Sequence, residues 1–403
     1  MTMRCCIVGG GPAGIVLGYL LARAGVEVCV LEKHADFFRD FRGDTIHPST
    51  LQIMDELGLL DRLLQIPHSQ LQLLTGRFGA TRVAISDFSH VPGRCKFIAF
   101  MPQWDFLNFL STQAKRYPSF ELQMETEGTD LQTEGNRVTG VIAKTRQGLR
   151  TIAADLVVAC DGRHSVLREK AGLKIQKLAA PIDALWMRIS RKPSDPGNTF
   201  GTVVPGAVFV TIDRNEYYQC ALVIRKGGFE EIKSRGLQAF RDQVAALAPY
   251  LKERTNELRE WDDIKLLTVA VDRLERWHRP GLLCIGDAAH AMSPIGGVGI
   301  NLAIQDAVAA ANILSGSLRT GTASTKELAA VQRRREFPTK VTQAVQIFVQ
   351  NHFMERVLSV DDPIAPPLLV RILNRVPLLR RIPAAIVGVG VRPEHVRTKE
   401  AQL

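Results

Sequence analysis

Apolar residues run unbroken through Cys5-Cys6-Ile7-Val8, stop at Gly9-Gly10-Gly11-Pro12, and return at helical spacing from Ile15 to Ala24. A continuous apolar run followed by a 3.6-residue period predicts a buried strand, a tight turn and a helix. A second strand is predicted over 26–31. Apolar Leu51, Met54 and Leu57 predict a helix with Ser49 as its N-cap. Short strands are expected between 72 and 97, broken by Gly76, Gly79, Pro92 and Gly93. A helix follows, opened by the segment 101–107 and running through about 116, then strands at 138–143 and 156–159. From 185 to 269 the pattern turns to β type, with strands at 185–190, 207–212 and 217–224 and a polar helical stretch over roughly 230–260. A strand at 281–285 leads through a turn rich in Pro294, Gly296, Gly297 and Gly299 into a helix over 300–314 and another over 326–348. The proline-rich tail is read as short helices at best. No run is read as the roughly 18 apolar residues of a membrane-crossing helix.

Composition narrows the class. With 403 residues, 46% of them hydrophobic, and a mean hydropathy of +0.01, the chain can bury the core of two domains or one elaborated domain. Its net charge of +10 is spread along the chain without a basic, aromatic-interleaved stripe, so no nucleic-acid partner is expected. Seven cysteines form no C-x-x-C pair, and several sit in apolar runs as small hydrophobes, so neither a disulfide framework nor a metal site is expected. The first strand starts within four residues of Met1, and a cytoplasmic protein without a signal peptide is the expectation.

The opening turn carries the first chemistry. Gly9, Gly11 and Gly14 have the G-x-G-x-x-G spacing of a dinucleotide site. The first allows the tight turn, the second lets a pyrophosphate approach the backbone, and the third lets the helix pack closely. Ala13 lies inside the same turn, with the helix N-terminus offering unpaired amides. Glu32, ending the second strand, suits the ribose hydroxyls of an adenosine, and Lys33 stands beside it. Two more glycine-associated carboxylates end apolar strands far along the chain, at Asp161-Gly162 and Gly286-Asp287.

Three such motifs in this order resemble the class A flavoprotein monooxygenases, the group of para-hydroxybenzoate hydroxylase. The resemblance covers the cofactor-binding parts of about the first 320 residues. It implies an α/β fold: a Rossmann-type FAD-binding domain (1–72, 98–178 and 270–320), an interleaved β-sheet substrate domain (73–97 and 179–269) and a helical C-terminal region (321–403). It implies FAD as cofactor, with Gly9, Gly11, Ala13, Gly14, Glu32 and Lys33 at its ADP half and Arg42 and Gln103 reaching it from neighbouring loops. Asp161 and Gly162 would serve FAD and a passing NADPH or NADH, whose phosphates His164 and Arg168 could meet. Asp287 would accept from the ribityl chain. Gly299, Ile300 and Asn301 would present amides to the flavin. By the same resemblance NAD(P)H reduces FAD, and O₂, activated as a C4a-hydroperoxide, hydroxylates an aromatic or phenolic carbon. His47 and Pro294 are the candidate catalytic positions in that region, with His290 a further proton carrier.

The substrate is expected to be a small aromatic or apolar compound, larger or more apolar than a simple benzoate, met by Trp186, Phe209 and Tyr218. The family's polar, arginine-bearing strand before a Tyr-Tyr pair is replaced here by Gly206-Ala207-Val208-Phe209-Val210, ahead of Tyr217-Tyr218. The basic, amphipathic stretch over 368–381 allows peripheral membrane contact. Monomer and homodimer stay open. So do two rival functions on the same scaffold, a flavin-dependent reductase of a lipophilic substrate and a non-enzymatic escort protein.

Overall fold

The computed structural model describes residues 3–38, 45–178, 180–197, 200–360, 362 and 364–401. At its centre is a parallel sheet with strand order Leu282–Cys284, Gly148–Ala159, Met3–Val8 (β1), Val28–Leu31 (β2) and Phe120–Gln123. Cys5 to Val8 and all of β2 are buried on both faces, which is why they read as apolar runs rather than alternations. Helix α1, Pro12–Arg23, starts with Pro12 in its first turn and packs against the helices Gly299–Thr320 and Gln103–Ala114. Two strands, Glu127–Glu134 and Arg137–Thr145, form an antiparallel meander on the first half of Gly148–Ala159. This region is more extended than its apolar pattern predicts, because ladder hydrogen bonds rather than burial hold its exposed residues.

A seven-stranded sheet stands apart from the first. Its order is Lys265–Leu267, Ile182–Ser190, Tyr217–Arg225, Ala207–Asp213, Phe200–Val204, Leu73–Phe78, Thr81–Asp87, antiparallel except where Phe200–Val204 meets Leu73–Phe78. Strands from two distant stretches of sequence therefore join in one sheet. The helices Phe229–Ser234 and Leu237–Leu247 cover one face. A small sheet of Thr45–Ile46, Ile98–Phe100 and Ser69–Leu71 bridges towards the other.

Three expectations change. The helix after the 45–46 strand is Pro48–Glu56, and His47, not Ser49, takes the N-cap position. Pro48 sets this boundary, because its locked φ and missing N–H suit the first helical residue. Second, Ile295–Thr320 does meet the length and composition of a membrane-crossing helix, with a mean hydropathy of 1.3, but 67% of its most apolar window is buried. Its isoleucines, valines and leucines supply most of that hydropathy, and the helix packs against α1 as part of the core. Third, the tail is more than short helices. Residues 394–401 run extended across the helical layer, with Glu394 on Arg334, His395 on Glu56, Glu400 on Tyr117, and the Thr398 carbonyl on Arg23.

Candidate active site

Register aligns the ends of the parallel strands. Val8 pairs with Leu31 and Ala159, and Ala159 with Cys284, so Gly9, Glu32, Cys160 and Ile285 leave the sheet at one level. Ligands of open α/β sheets bind at this carboxyl edge. Gly9 has φ +111°, and a Cβ there would lie 2.3 Å from the Cys160 carbonyl oxygen. A Cβ on Gly14 would lie 2.0 Å from the Gly9 carbonyl oxygen. At Gly11 it would meet no protein atom within 4 Å. The Gly10 and His34 amides each donate to Glu32 at 3.0 Å, fixing its carboxylate beside the turn. Lys33 is exposed, and Gln103 opens its helix half-exposed. Arg42 lies outside the described residues.

The two distant carboxylate motifs converge here. Asp161 follows Cys160 directly against Gly9. One of its oxygens accepts from the Leu167 amide at 3.2 Å, while Oδ1 is buried without a donor among the described residues. Burial pushes its pKa up. Gly162, at φ +86°, adjoins open space. Arg163 pairs with Asp287 at 3.6 Å, tying the second motif to the third. Gly286 sits between the two helix starts: a Cβ there would lie 3.2 Å from the Cβ atoms of both Ala13 and Ala303. Arg168 does not reach outwards as expected. It is buried, and its guanidinium is spent on Asp272 and the Ala288 carbonyl, while His164 is exposed.

Pro294 leads into the turn Ile295–Gly297, in which Gly296 and Gly297 have φ of +78° and +61°. The long helix starts at Gly299 with no side-chain cap, so the amides of Gly299, Ile300 and Asn301 have no intrahelical acceptor. The side chain of Asn301 is fully occupied elsewhere. It accepts from the His47 amide at 2.9 Å and the Thr50 hydroxyl at 2.7 Å, and donates to the Thr45 carbonyl at 3.0 Å. It clamps the 45–50 segment onto the helix and leaves only its backbone to face a ligand.

His47 is corrected from proton carrier to anchor. The ring is completely buried, and Nδ1 donates to the Val387 carbonyl at 2.7 Å. Burial pulls its pKa down to about 4, against the opposing pull of the Val387 and Gly296 carbonyls. The imidazole is therefore neutral at ordinary pH. Because the unfolded chain takes up this proton near pH 6.5, stability is complete above that value and declines as pH falls towards 4, by about 3 kcal/mol. Denaturant unfolding between pH 7 and 4 should show this decline, and His47→Gln should flatten it. His290 is likewise a scaffold residue, buried with Nε2 at 2.6 Å from Asp306 and its ring beside Trp277.

The substrate-side candidates divide between the two faces of the seven-stranded sheet. Trp186 faces a cluster of Phe88, Phe100, Val210, Ile212 and Val387. Phe209 and Tyr218 point the other way, into the core beneath the covering helices, where Tyr218 meets Tyr250 edge-on. Alternation along a strand puts Phe209 and Val210 on opposite faces, so the larger side chain faces away from the Trp186 cluster. The cluster adjoins the glycine turn: a Cβ on Gly296 would lie 3.9 Å from Val387.

A family model described as FAD binding domain matches residues 2–345. The chain belongs to this FAD-binding family. It is 30% identical over 380 residues to 6-methylpretetramide 4-monooxygenase of Streptomyces rimosus, covering 94% of this chain and 90% of that protein. Among solved structures it is similar to p-nitrophenol 4-monooxygenase of Pseudomonas putida, with a TM-score of 0.77 and 20% identity over 95% of this chain and 96% of that one. It is also similar to the anhydrotetracycline hydroxylase OxyS of Streptomyces rimosus, with a TM-score of 0.72 and 23% identity over 96% and 76% of the two chains. The protein is thus a flavoprotein of monooxygenase type.

The residues present fit FAD. The space that a Gly11 Cβ would enter, the orphaned Asp161 oxygen and the fixed Glu32 carboxylate line one edge of the sheet. Two features escaped sequence reasoning. Val210 and Ile212 line the apolar cluster, and strand alternation relative to Trp186 is the signal that points to them. Asp306, an acid within an apolar helix, holds the Gly286 amide at 3.1 Å together with His290 and Arg335. A charge at so apolar a position was the available signal.

Proposed function

We propose that the protein uses NADH or NADPH and O₂ to hydroxylate an aromatic, phenolic and fairly apolar substrate. The observation that supports the reading is the adjacency of Gly296 in the glycine turn to Val387 of the apolar cluster around Trp186, which would set a reacting ring beside the helix N-terminus. The names of the similar proteins, from p-nitrophenol to anhydrotetracycline, support a phenolic substrate of variable size. When bound, FAD supplies the electron transfer from the nicotinamide and the activation of O₂. Gly9, Gly11, Gly14 and Glu32 would hold its ADP half, and Asp161 and Asp287 would accept from its hydroxyls. The amides of Gly299, Ile300 and Asn301 favour negative charge at the helix start. Phe88, Phe100 and Trp186 exclude water and orient the substrate ring.

The test is NADPH and NADH oxidation with O₂ uptake across a panel of phenols and polycyclic aromatics. Consumption that rises with one compound and yields a singly oxygenated product supports the reading. A yellow protein that oxidises the nicotinamide without ever inserting oxygen overturns it. Trp186→Ala should raise KM for that compound about tenfold at unchanged flavin content. Phe209→Ala should instead cost about 3–5 kcal/mol of stability and leave KM unchanged, because it opens a cavity on the far face.

A further inference from the structure

The segment from Leu368 to Ile386 concentrates exposed apolar side chains. Of the sixteen large hydrophobic residues exposed among those described, seven lie here: Leu368, Leu369, Ile372, Val376, Leu378, Ile382 and Ile386. Leu368 and Leu369 are 70% and 66% exposed, values that side chains packed on the protein's own surface would not show. On the helix Leu368–Arg375, positions 368, 372 and 376 follow one another at four-residue steps, and Arg371 and Arg375 run beside them. Arg371, Arg375 and Arg381 are exposed, and none pairs with a carboxylate among the described residues.

The rest of the segment is firmly seated. Asn374 accepts from the Ala84 amide at 3.0 Å, covering the outer strand Thr81–Asp87. Arg380 closes the end of the helix on the Leu373 and Asn374 carbonyls. Leu373 and Ala384 are buried. The outward apolar face therefore belongs to an anchored element.

We propose that this face docks on an anionic lipid surface, with its leucines and isoleucines in the interface and Arg371, Arg375 and Arg381 on lipid phosphates. Charge complementarity selects this occupant. A second copy of the chain packed by this same face would offer the arginines no carboxylate, since residues 368–386 contain four arginines and no Asp or Glu, whereas an anionic headgroup layer pairs with them. The same segment ends at the pocket. Val387 belongs to the Trp186 cluster and its carbonyl holds His47, while Gly388 packs so closely that a Cβ would lie 3.0 Å from Phe88. Docking would set the apolar pocket beside the phase in which an apolar substrate dissolves.

Co-sedimentation of the flavin-loaded protein with vesicles tests this, using phosphatidylcholine alone and phosphatidylcholine with phosphatidylglycerol at about seven to three. We expect at least tenfold stronger binding to the anionic vesicles, weakening as salt rises. Arg371→Glu/Arg375→Glu/Arg381→Glu and, separately, Leu368→Asp/Leu378→Asp should each abolish it while keeping flavin content and melting temperature. Equal binding to both vesicles, binding to neither, or a dimer in light scattering that Leu368→Asp/Leu378→Asp dissociates would each overturn the proposal. The readout is binding alone, so its failure leaves the oxygenase reading standing.

Discussion

Gly9→Ala will yield a colourless, destabilised protein. The methyl group must enter a position 2.3 Å from the Cys160 carbonyl oxygen, on a backbone at φ +111° that L-residues avoid. Neither partner can yield cheaply, since Cys160 continues the central strand and its amide is bonded to the Val8 carbonyl at 2.7 Å. Positive-φ strain and overpacking together should cost roughly 2–5 kcal/mol. Gly11→Ala makes the informative contrast. Its Cβ meets nothing in the protein, and its φ of −73° suits alanine, so the apoprotein should melt within about 0.5 kcal/mol of wild type. The methyl would occupy the space a pyrophosphate needs, and FAD affinity should fall roughly ten- to hundredfold. Thermal unfolding of the apoproteins, paired with flavin titration, separates the two effects. A Gly11→Ala protein that binds FAD normally would remove the pyrophosphate from this turn.

Asp306→Ala should be as destabilising as any core truncation away from the cofactor turn. The carboxylate is completely buried and ties four elements together: Arg335 at 2.9 Å, His290 at 2.6 Å, the Gly286 amide, and through Arg335 also Glu394 of the terminal strap at 3.3 Å. Truncation leaves the Arg335 cation fully buried with one partner fewer, at a cost of about 3–5 kcal/mol. Burial raises the Asp306 pKa, but His290 and Arg335 outweigh it, so the group stands below its ordinary value. Its contribution is therefore complete above about pH 4 and is lost as pH falls further, below the window assigned to His47. In Asp306→Ala the acid limb of the stability profile should flatten, and flavin content should drop because Gly286-Asp287 loses its tether. Denaturant unfolding from pH 7 to 3 measures the first, and the flavin absorbance of the purified protein the second. An unchanged midpoint would mean that the network carries no net stability.

What could be read from the sequence was local. The β1–turn–α1 unit, Glu32 and the two later carboxylate motifs announce themselves within a few residues, because a buried parallel strand is an apolar run and its ligand contacts follow at once. Fates decided by distant partners could not be read this way. His47 looks like a loop histidine until the Val387 carbonyl, 340 residues away, accepts its Nδ1–H. Arg168 looks like a phosphate ligand until Asp272 and Ala288 close over it. Phe209 and Tyr218 read as substrate residues on their strands, but the face they occupy depends on which side of the sheet the helices Phe229–Ser234 and Leu237–Leu247 cover. The polar strands of the 127–145 meander carry little hydrophobic signal, since pairing holds them.

The central claim is that this flavin site inserts oxygen into an apolar aromatic held against the glycine turn. Turnover under ¹⁸O₂ with NADPH or NADH, followed by mass spectrometry of the product, tests it most directly. One ¹⁸O atom per product molecule is expected, with yield falling in Trp186→Ala. Product formed without label, or label arriving only from water, would contradict it.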